Sequence, residues 1–317
     1  YSPSHRRRLS PLHIPTPEAD ASDPGPAPDP WLDYTALLPR KRAALESAFA
    51  RFEAAGGDPD FDRYRQEEGT ALTRFAVHQA LADRHGPYWT GWPAALHDPA
   101  APDVARFAAA EAPSVRFHAW LQWLAERSLM DTQAHLRRAG MAQGLYLDLA
   151  VGTDPRGAET WEDRANFAEG VSLGAPPDAF AENGQSWGLA PFNPHRLIET
   201  GFRPFAETLR RQLRFSGAIR IDHILGVDRA FWVPEAADLP GAYVTMPRAA
   251  LLAVIRAEAA RAGAWVVGED LGNVPRGLRP DLNASGVLGC RVAMFERRDD
   301  PLRFRAPAQY PRSCIAS

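Results

Sequence analysis

The sequence is poor in cysteine and in long apolar stretches, and each shortage excludes a class of protein. Its 317 residues include only 2 cysteines, Cys290 and Cys314, so neither a disulfide framework nor a metal site built on thiolates is expected. No stretch approaches the roughly 20 apolar residues that a membrane helix needs. The first ten residues also lack the apolar centre of a secretory signal. These shortages exclude a membrane protein and favour the reducing cytoplasm.

The sequence also lacks an excess of charge of either sign. The 36 basic residues stand against 39 acidic ones, which gives a formal net charge of -3, and Lys41 is the only lysine among scattered arginines. A nucleic-acid-binding stripe is therefore not expected. With 45% hydrophobic and 24% charged residues, the composition is that of an ordinary globular protein.

The chain divides into three segments by composition and pattern. Residues 1–30 end in a proline-rich stretch at 15–30, which is expected to be an exposed loop. Residues 31–140 have apolar positions at helical spacing and predict helices near 38–55, 70–85 and 113–140. Residues 141–317 instead alternate short strand-like runs with helical runs, which predicts parallel βα units.

Four strands and two helices are predicted in the third segment. The strands are expected at 144–151, 218–225, 264–271 and 289–296, and the helices at 202–215 and 247–263. Three of the strands end in an acid, namely Asp148, Asp222 and Glu269. Because ligands of parallel α/β folds bind at the carboxyl ends of the strands, these acids are expected to converge on one site.

The two-residue period of a strand places Arg220 on the same side as Asp222, while Ile219 and Ile221 face the helices. A guanidinium beside Asp222 would keep that carboxylate ionised, since a nearby positive charge lowers a carboxyl pKa. For any one of these acids, a structural ion pair is the alternative interpretation.

Residues 151–194 show no clear amphipathic period and are predicted to form a long functional loop. The stretch combines Asp178, Gln185, Trp187 and Phe192 with several prolines. Carbohydrate sites need such a mixture, because a ring stacks on the apolar face of a sugar while carboxylates and amides bind its hydroxyls. Alternatively, Trp187 only fixes the loop to the rest of the protein.

Five sequence blocks together resemble one known family. The blocks are GLYLDLAVGTDPRGAETW (144–161), GAPPDAFAENGQSWGLAPFNP (174–194), RIDHILGVDRAFWVP (220–234), VVGEDLGNVP (266–275) and GVLGCRVAMFE (286–296). In content and order they resemble the 4-α-glucanotransferases, or amylomaltases, of the α-amylase superfamily. The chain departs from the usual pattern at Asn273, Ala190 and Cys290.

The resemblance implies a role for each matching residue. Asp222 would be the nucleophile, Glu269 the general acid/base, and Arg220 the group that holds the nucleophile. His223 lies beside Asp222 in the same motif, and Asp178 and Trp187 match residues of the loop that covers the bound glucan. Asp148 and Gln185 complete the candidate substrate-binding set.

The resemblance also implies a reaction and its partners. The protein would transfer α-1,4-glucan segments between maltooligosaccharides, or from starch-type glucans, by a retaining mechanism with two carboxyl groups. Partial burial of Glu269 would raise its pKa and keep its proton. The 151–194 loop would exclude water. Neither a metal nor an organic cofactor is required, and no obligate protein partner is expected.

The implied fold is a (β/α)8 TIM barrel with an inserted helical subdomain at 31–140. Only four strands are predicted after residue 140, whereas a closed barrel needs eight. The sequence is therefore expected to be an incomplete barrel with about strands 3 to 6, ending before the family's third catalytic aspartate. Such a piece is expected to be inactive and poorly soluble alone. Two other functions stay open, a retaining α-glucan hydrolase and a non-catalytic glucan-binding fragment.

Overall fold

The computed structural model describes residues 2–15, 31, 33–178, 181–236, 239–298, 302–311 and 314–316. The chain forms two compact units, one of Arg8–Asp131 and one of Tyr1–Arg7 with Thr132–Ser317. Almost all of the predicted proline-rich loop, residues 16–30, lies outside the described part. None of the helices in the described ranges combines the length and the apolarity that crossing a membrane requires.

The smaller unit is helical, as its apolar spacing predicts. Its helices are α1 (Tyr34–Ala54), α2 (Pro59–His85), α3 (Pro102–Ala110) and most of α4 (Ala112–Arg138), whose last residues belong to the larger unit. Helix α1 begins after Asp33, whose side chain accepts hydrogen bonds from two backbone N–H groups of the first turn. Helix α2 starts eleven residues before the predicted 70, because non-helical Gly69 (φ 56°) interrupts it and divides its pattern.

An aromatic cluster forms the core of this helical unit. The ring of Phe61 lies 5.5 Å from that of Trp123, and Phe52 lies 5.6 Å from Trp120, measured between centroids. The buried carboxylate of Glu126 accepts a hydrogen bond of 2.8 Å from the Tyr64 hydroxyl. This unit is therefore held together mainly by apolar packing.

The larger unit contains two sheets in its described residues. Its strands are β1 (Tyr146–Leu149), β2 (Val171–Ala175), β3 (Gln185–Leu189), β4 (Ala218–Ile221), β5 (Arg229–Pro234), β6 (Ala242–Thr245), β7 (Trp265–Gly268), β8 (Val287–Arg291) and β9 (Cys314–Ala316). Its helices are α5 (Ala158–Glu162), α6 (Pro194–Glu199), α7 (Arg203–Leu213), α8 (Arg248–Ala262) and α9 (Leu278–Ala284). The predicted strands correspond to β1, β4, β7 and β8, and the two predicted helices to α7 and α8. The prediction of 289–296 for the last strand is partly wrong, since β8 begins at Val287 and Ala293–Phe295 form a short 3-10 helix.

The first sheet is parallel throughout, with the strand order β1-β4-β7-β8-β9. Ile219 and Ile221 of β4 are buried in one cluster with Leu209 of α7 and Ile255 of α8. This confirms that they face the helix layer. Within the described residues β1 and β9 are the two outer strands. The described residues thus form a parallel α/β sheet that does not close into a barrel within those ranges.

The second sheet is antiparallel, with the order β3-β2-β5-β6. Its first two strands lie in the stretch 151–194, so the prediction of a long loop without secondary structure there is wrong. The pairing of β2 with β3 shifts in register between Leu173 and Gly174. This irregularity explains why the sequence shows no regular alternation of apolar and polar residues there. A side chain at Gly174 would collide with the carbonyl oxygen of Gln185, so glycine allows the close approach of β2 and β3.

An ion pair and a hydrogen bond attach the first residues of the chain to α5. The guanidinium of Arg6 lies 3.0 Å from the carboxylate of Glu159, and His5 Nε2 forms a hydrogen bond of 2.9 Å with the carboxylate of Glu162. Burial raises the pKa of Glu159, but the positive charge and the hydrogen bonds of Arg6 outweigh this effect and lower the pKa to about 2. Glu159 is therefore ionised inside the protein.

Candidate active site

Three neighbouring parallel strands bring the predicted acids to one edge of the first sheet. Asp148 of β1 lies opposite Arg220 of β4, which lies opposite Val267 of β7. Asp222 follows β4 and Glu269 follows β7. Because parallel strands end on the same side of a sheet, all three carboxylates lie at its carboxyl edge.

Arg220 joins two of the acids. One of its terminal nitrogens lies 2.7 Å from Asp148 Oδ1, and the other lies 2.7 Å from Asp222 Oδ1. Burial lowers the pKa of Arg220, but the hydrogen bonds and charges of Asp148 and Asp222 raise it above its ordinary value. The backbone N–H of Asp222 donates to Leu149 O at 3.0 Å. Asp222 is thus fixed from two sides next to a permanent positive charge.

Backbone groups hold the carboxylate of Glu269. The N–H of His223 donates to Glu269 Oε2 at 3.1 Å, and the N–H of Leu271 donates to Oε1 at 3.0 Å. His223 adopts the left-handed conformation, with φ at 47°, which is strained for a residue with a side chain. The turn after Asp222 therefore directs the N–H of His223 toward the carboxylate of Glu269 on the neighbouring strand.

The environment of Glu269 favours its protonated form. Burial contributes most to raising the pKa of Glu269, and the charge of Asp222 raises it further. The N–H of Leu271, the charge of Arg220 and the N–H of His223 oppose this shift without cancelling it. One acid at this edge is paired with a cation while its neighbour holds a proton more tightly than usual.

His223 and Trp187 meet at the same edge. Their ring centroids lie 5.1 Å apart in an edge-to-face arrangement, and burial lowers the pKa of His223 against the opposing charge of Asp222. Trp187 Nε1 donates to Gln185 Oε1 at 3.0 Å. Strand β3 therefore brings Trp187 and Gln185 to the acids, although Trp187 also packs on the buried Leu173 and Leu189.

A cavity of about 410 Å³ opens beside Glu269. His223, Glu269 and Asp178 line it together with residues of β5 and β6. Asp178 also closes a turn, since its carboxylate accepts the N–H of Ala181 at 2.8 Å. All the site residues predicted from sequence thus lie at this edge or in the strands and turn around it.

Sequence reasoning missed the arginine and the rings of the cavity wall and one buried acid. Arg229, Phe231 and Tyr243 line the cavity. For Phe231 the only signal was the strand-like run FWVP that it begins. Asp270 is buried and accepts hydrogen bonds from the N–H of Cys290 at 2.8 Å and from Arg279 at 2.7 Å. Although burial raises its pKa, these donors and Arg291 lower it. Asp270 thereby ties the end of β7 to β8.

Metal ligation finds no support in the described part of the chain. Across those ranges, no group of three or more His, Cys, Asp or Glu side chains is arranged to hold a metal ion.

Comparison with known proteins decides the family. A family model described as 4-alpha-glucanotransferase matches residues 1–317. The chain belongs to the 4-alpha-glucanotransferase family. The resemblance inferred from the five sequence blocks is confirmed.

Two curated 4-alpha-glucanotransferases illustrate the similarity. The protein of Mycobacterium tuberculosis (strain ATCC 25618 / H37Rv) is 41% identical over 290 residues, which cover 90% of this chain and 40% of the relative. The protein of Haemophilus influenzae is 33% identical over 306 residues, covering 90% of this chain and 43% of the relative. The chain therefore spans less than half the length of these family members.

Two solved amylomaltases share its fold. The amylomaltase from Corynebacterium glutamicum superimposes with a TM-score of 0.75 at 29% identity, over 100% of this chain and 46% of that one. The amylomaltase from Streptococcus agalactiae, solved in complex with acarbose, gives a TM-score of 0.84 at 19% identity, over 98% of this chain and 66% of that one.

Proposed function

We propose that the whole protein is a 4-α-glucanotransferase that moves α-1,4-linked glucan segments between maltooligosaccharides with retention of configuration. The observation that carries this proposal is the pair of unlike carboxyl groups at neighbouring strand ends. Asp222 is ion-paired with Arg220 at 2.7 Å, and the pKa of Glu269 is raised by burial. A retaining glycosyl transfer needs one ionised and one protonated carboxyl group.

The first half of the reaction breaks the donor. Asp222 attacks the anomeric carbon and forms an ester bond to it while the bond from that carbon to the glycosidic oxygen breaks. Glu269 gives its proton to the departing oxygen, which leaves as the 4-hydroxyl of the released glucan. Arg220 and Asp148 keep the attacking oxygen in place, since Arg220 contacts both carboxylates.

The second half passes the glucan to an acceptor. The 4-hydroxyl of another glucan attacks the anomeric carbon, its proton moves to Glu269, and the ester bond to Asp222 breaks. Transfer exceeds hydrolysis only where water is kept from the ester. We assign this exclusion to the β2–β3 hairpin with Trp187, and substrate contacts to Gln185, Asp178 and His223. Their positions around Glu269 support these roles.

The finer features of the whole protein are part of the same proposal. We infer a closed (β/α)8 barrel with residues 31–140 as an inserted helical subdomain, and the parallel strand order and the amylomaltase neighbours support it. Starch-type glucans are proposed as further substrates, and the cytoplasm as the compartment. No cofactor enters the proposed steps.

Incubating the whole protein with maltotriose tests the proposed activity. Transfer gives glucose together with a ladder of maltodextrins longer than the substrate, resolved by chromatography. The matched Asp222→Asn variant is expected to give no ladder. Products that are all shorter than maltotriose would instead identify a hydrolase, and would contradict the transferase.

A further inference from the structure

We propose that the cavity beside Glu269 is the acceptor site and that Tyr243 determines acceptor binding by stacking on a glucose ring. This inference rests on the proposed function and deepens it. The cavity lies between the carboxyl end of β7 and the second sheet, and its volume of about 410 Å³ falls in the range of ~300–1,000 Å³ typical of ligand sites.

The residues that line the cavity indicate whether it binds the donor or the acceptor glucan. Glu269 lines it, whereas Asp222 is not among the described residues that do. In a retaining transfer the acid/base exchanges its proton with the oxygen of the leaving or attacking sugar, while the nucleophile bonds to the donor sugar. A cavity that contains the acid/base without the nucleophile is therefore on the acceptor side.

The side chain of Tyr243 is fixed by its neighbours and still has open surface on which a glucose ring can stack. The Arg229 guanidinium lies 4.2 Å from the centre of the Tyr243 ring, and Phe231 meets it edge-to-face at 5.2 Å. The Asn273 amide lies 3.5 Å from the Tyr243 hydroxyl. Yet 40% of Tyr243 stays exposed. A ring fixed on several sides with open surface loses little freedom when it stacks on the apolar face of a sugar.

Arg229 supplies the polar half of this wall. Arg229 lines the cavity, and its guanidinium packs on the Tyr243 ring. Among the described residues no carboxylate forms an ion pair with it. Its N–H groups can therefore donate to the hydroxyls of a neutral sugar. Asp178, on the same lining, offers carboxylate oxygens that accept from hydroxyls. The cavity thus combines a stacking ring with both kinds of hydrogen-bonding group.

The test separates donor cleavage from acceptor use in the whole protein. The donor is α-maltosyl fluoride, whose first-turnover burst of fluoride measures donor cleavage because that step needs neither acceptor nor water, and the acceptor is labelled maltose. Tyr243→Ala is expected to raise the acceptor KM about tenfold and to lower the ratio of transfer to hydrolysis, while the rate of the fluoride burst stays within about twofold of wild type. Tyr243→Phe is expected to keep the wild-type acceptor KM, since the ring remains.

Two further variants serve as controls for Tyr243→Ala. Tyr88→Ala removes a comparably exposed tyrosine, 44% against 40%, from the helical unit and is expected to change neither quantity. Should Tyr243→Ala lose donor cleavage, Tyr243→Leu, which keeps the volume without the ring, is judged by the same criterion. An unchanged acceptor KM in the variant that cleaves the donor normally overturns the acceptor site alone. Wild-type protein that releases fluoride and forms no transfer product overturns the proposed function and the acceptor site together.

Discussion

The two sheets of the larger unit supply different kinds of side chain to one place. The parallel sheet brings charged groups together at its edge, where Arg220 links Asp148 and Asp222. The antiparallel sheet brings rings, with Trp187 against His223 and Tyr243 in the cavity wall. Parallel strands all end on one side, so their terminal residues converge, whereas antiparallel strands line a face. Variants in the first sheet should therefore change turnover, and variants in the second should change binding.

The largest effect is expected from the two acids. Glu269→Gln should lower kcat on maltotriose by about 10²- to 10⁴-fold, because a positioned general acid contributes that much, and Asp222→Asn should lower it further, because no covalent intermediate can form. Maltotriose binding, measured by calorimetry, should persist in both variants. Loss of maltotriose binding together with turnover would mean that the acids act by holding the site in shape.

The next largest effect is expected at the guanidinium that joins them. Arg220→Lys keeps the charge but cannot reach Asp148 and Asp222 together in the same planar geometry. A misplaced nucleophile should lower kcat by about 100-fold, with a small change in KM. Steady-state kinetics with maltotriose measures kcat and KM separately and so checks this prediction. A variant with normal kcat and raised KM would place Arg220 in substrate binding.

A smaller effect, confined to binding, is expected in the antiparallel sheet. Trp187→Ala removes a ring from the neighbourhood of His223 and should raise KM about tenfold, because stacked rings contribute about 0.5–1.5 kcal/mol. Trp187→Phe, which keeps a ring, serves as the matched control. A fall in kcat with unchanged KM would show that Trp187 positions the reacting groups through His223.

The smallest predicted effect is a shift in the pH profile. Glu269 must be protonated to act as the acid, so kcat/KM should be full below its pKa and fall as the pH rises through it. Since burial and Asp222 raise this pKa, the basic limb should lie above the ordinary range for glutamate, about 4.3. Arg220 opposes the shift, so Arg220→Gln should move the limb to higher pH. If the basic limb of the Arg220→Gln variant moved to lower pH instead, the limb would not report the titration of Glu269.

The sequence predicted the elements whose signals are local. Asp222 and Glu269 each end a strand with buried neighbours, and the period of two assigned Ile219 and Ile221 to the helix side. It did not predict the second sheet, because the pairing of β2 with β3 shifts between Leu173 and Gly174, which is a contact between strands that no local pattern shows.

Contacts between distant parts of the chain were also beyond local patterns. Arg6 pairs with Glu159, 153 residues away, and Tyr243 meets Phe231 only through the register of β5 and β6. Such pairs depend on tertiary packing, so the charged half of the site could be predicted from sequence, whereas its acceptor wall could not.

The most direct test of the central claim is to trap the covalent intermediate. With α-maltotriosyl fluoride, the donor needs no acid because fluoride leaves unaided, while Glu269→Gln removes the base that activates the acceptor. Peptide mass spectrometry of that variant is expected to find a maltotriosyl ester on Asp222, formed with release of fluoride. An ester on any other carboxylate, or fluoride release without an adduct while maltotriose still binds, would contradict the assignment of Asp222 as the nucleophile.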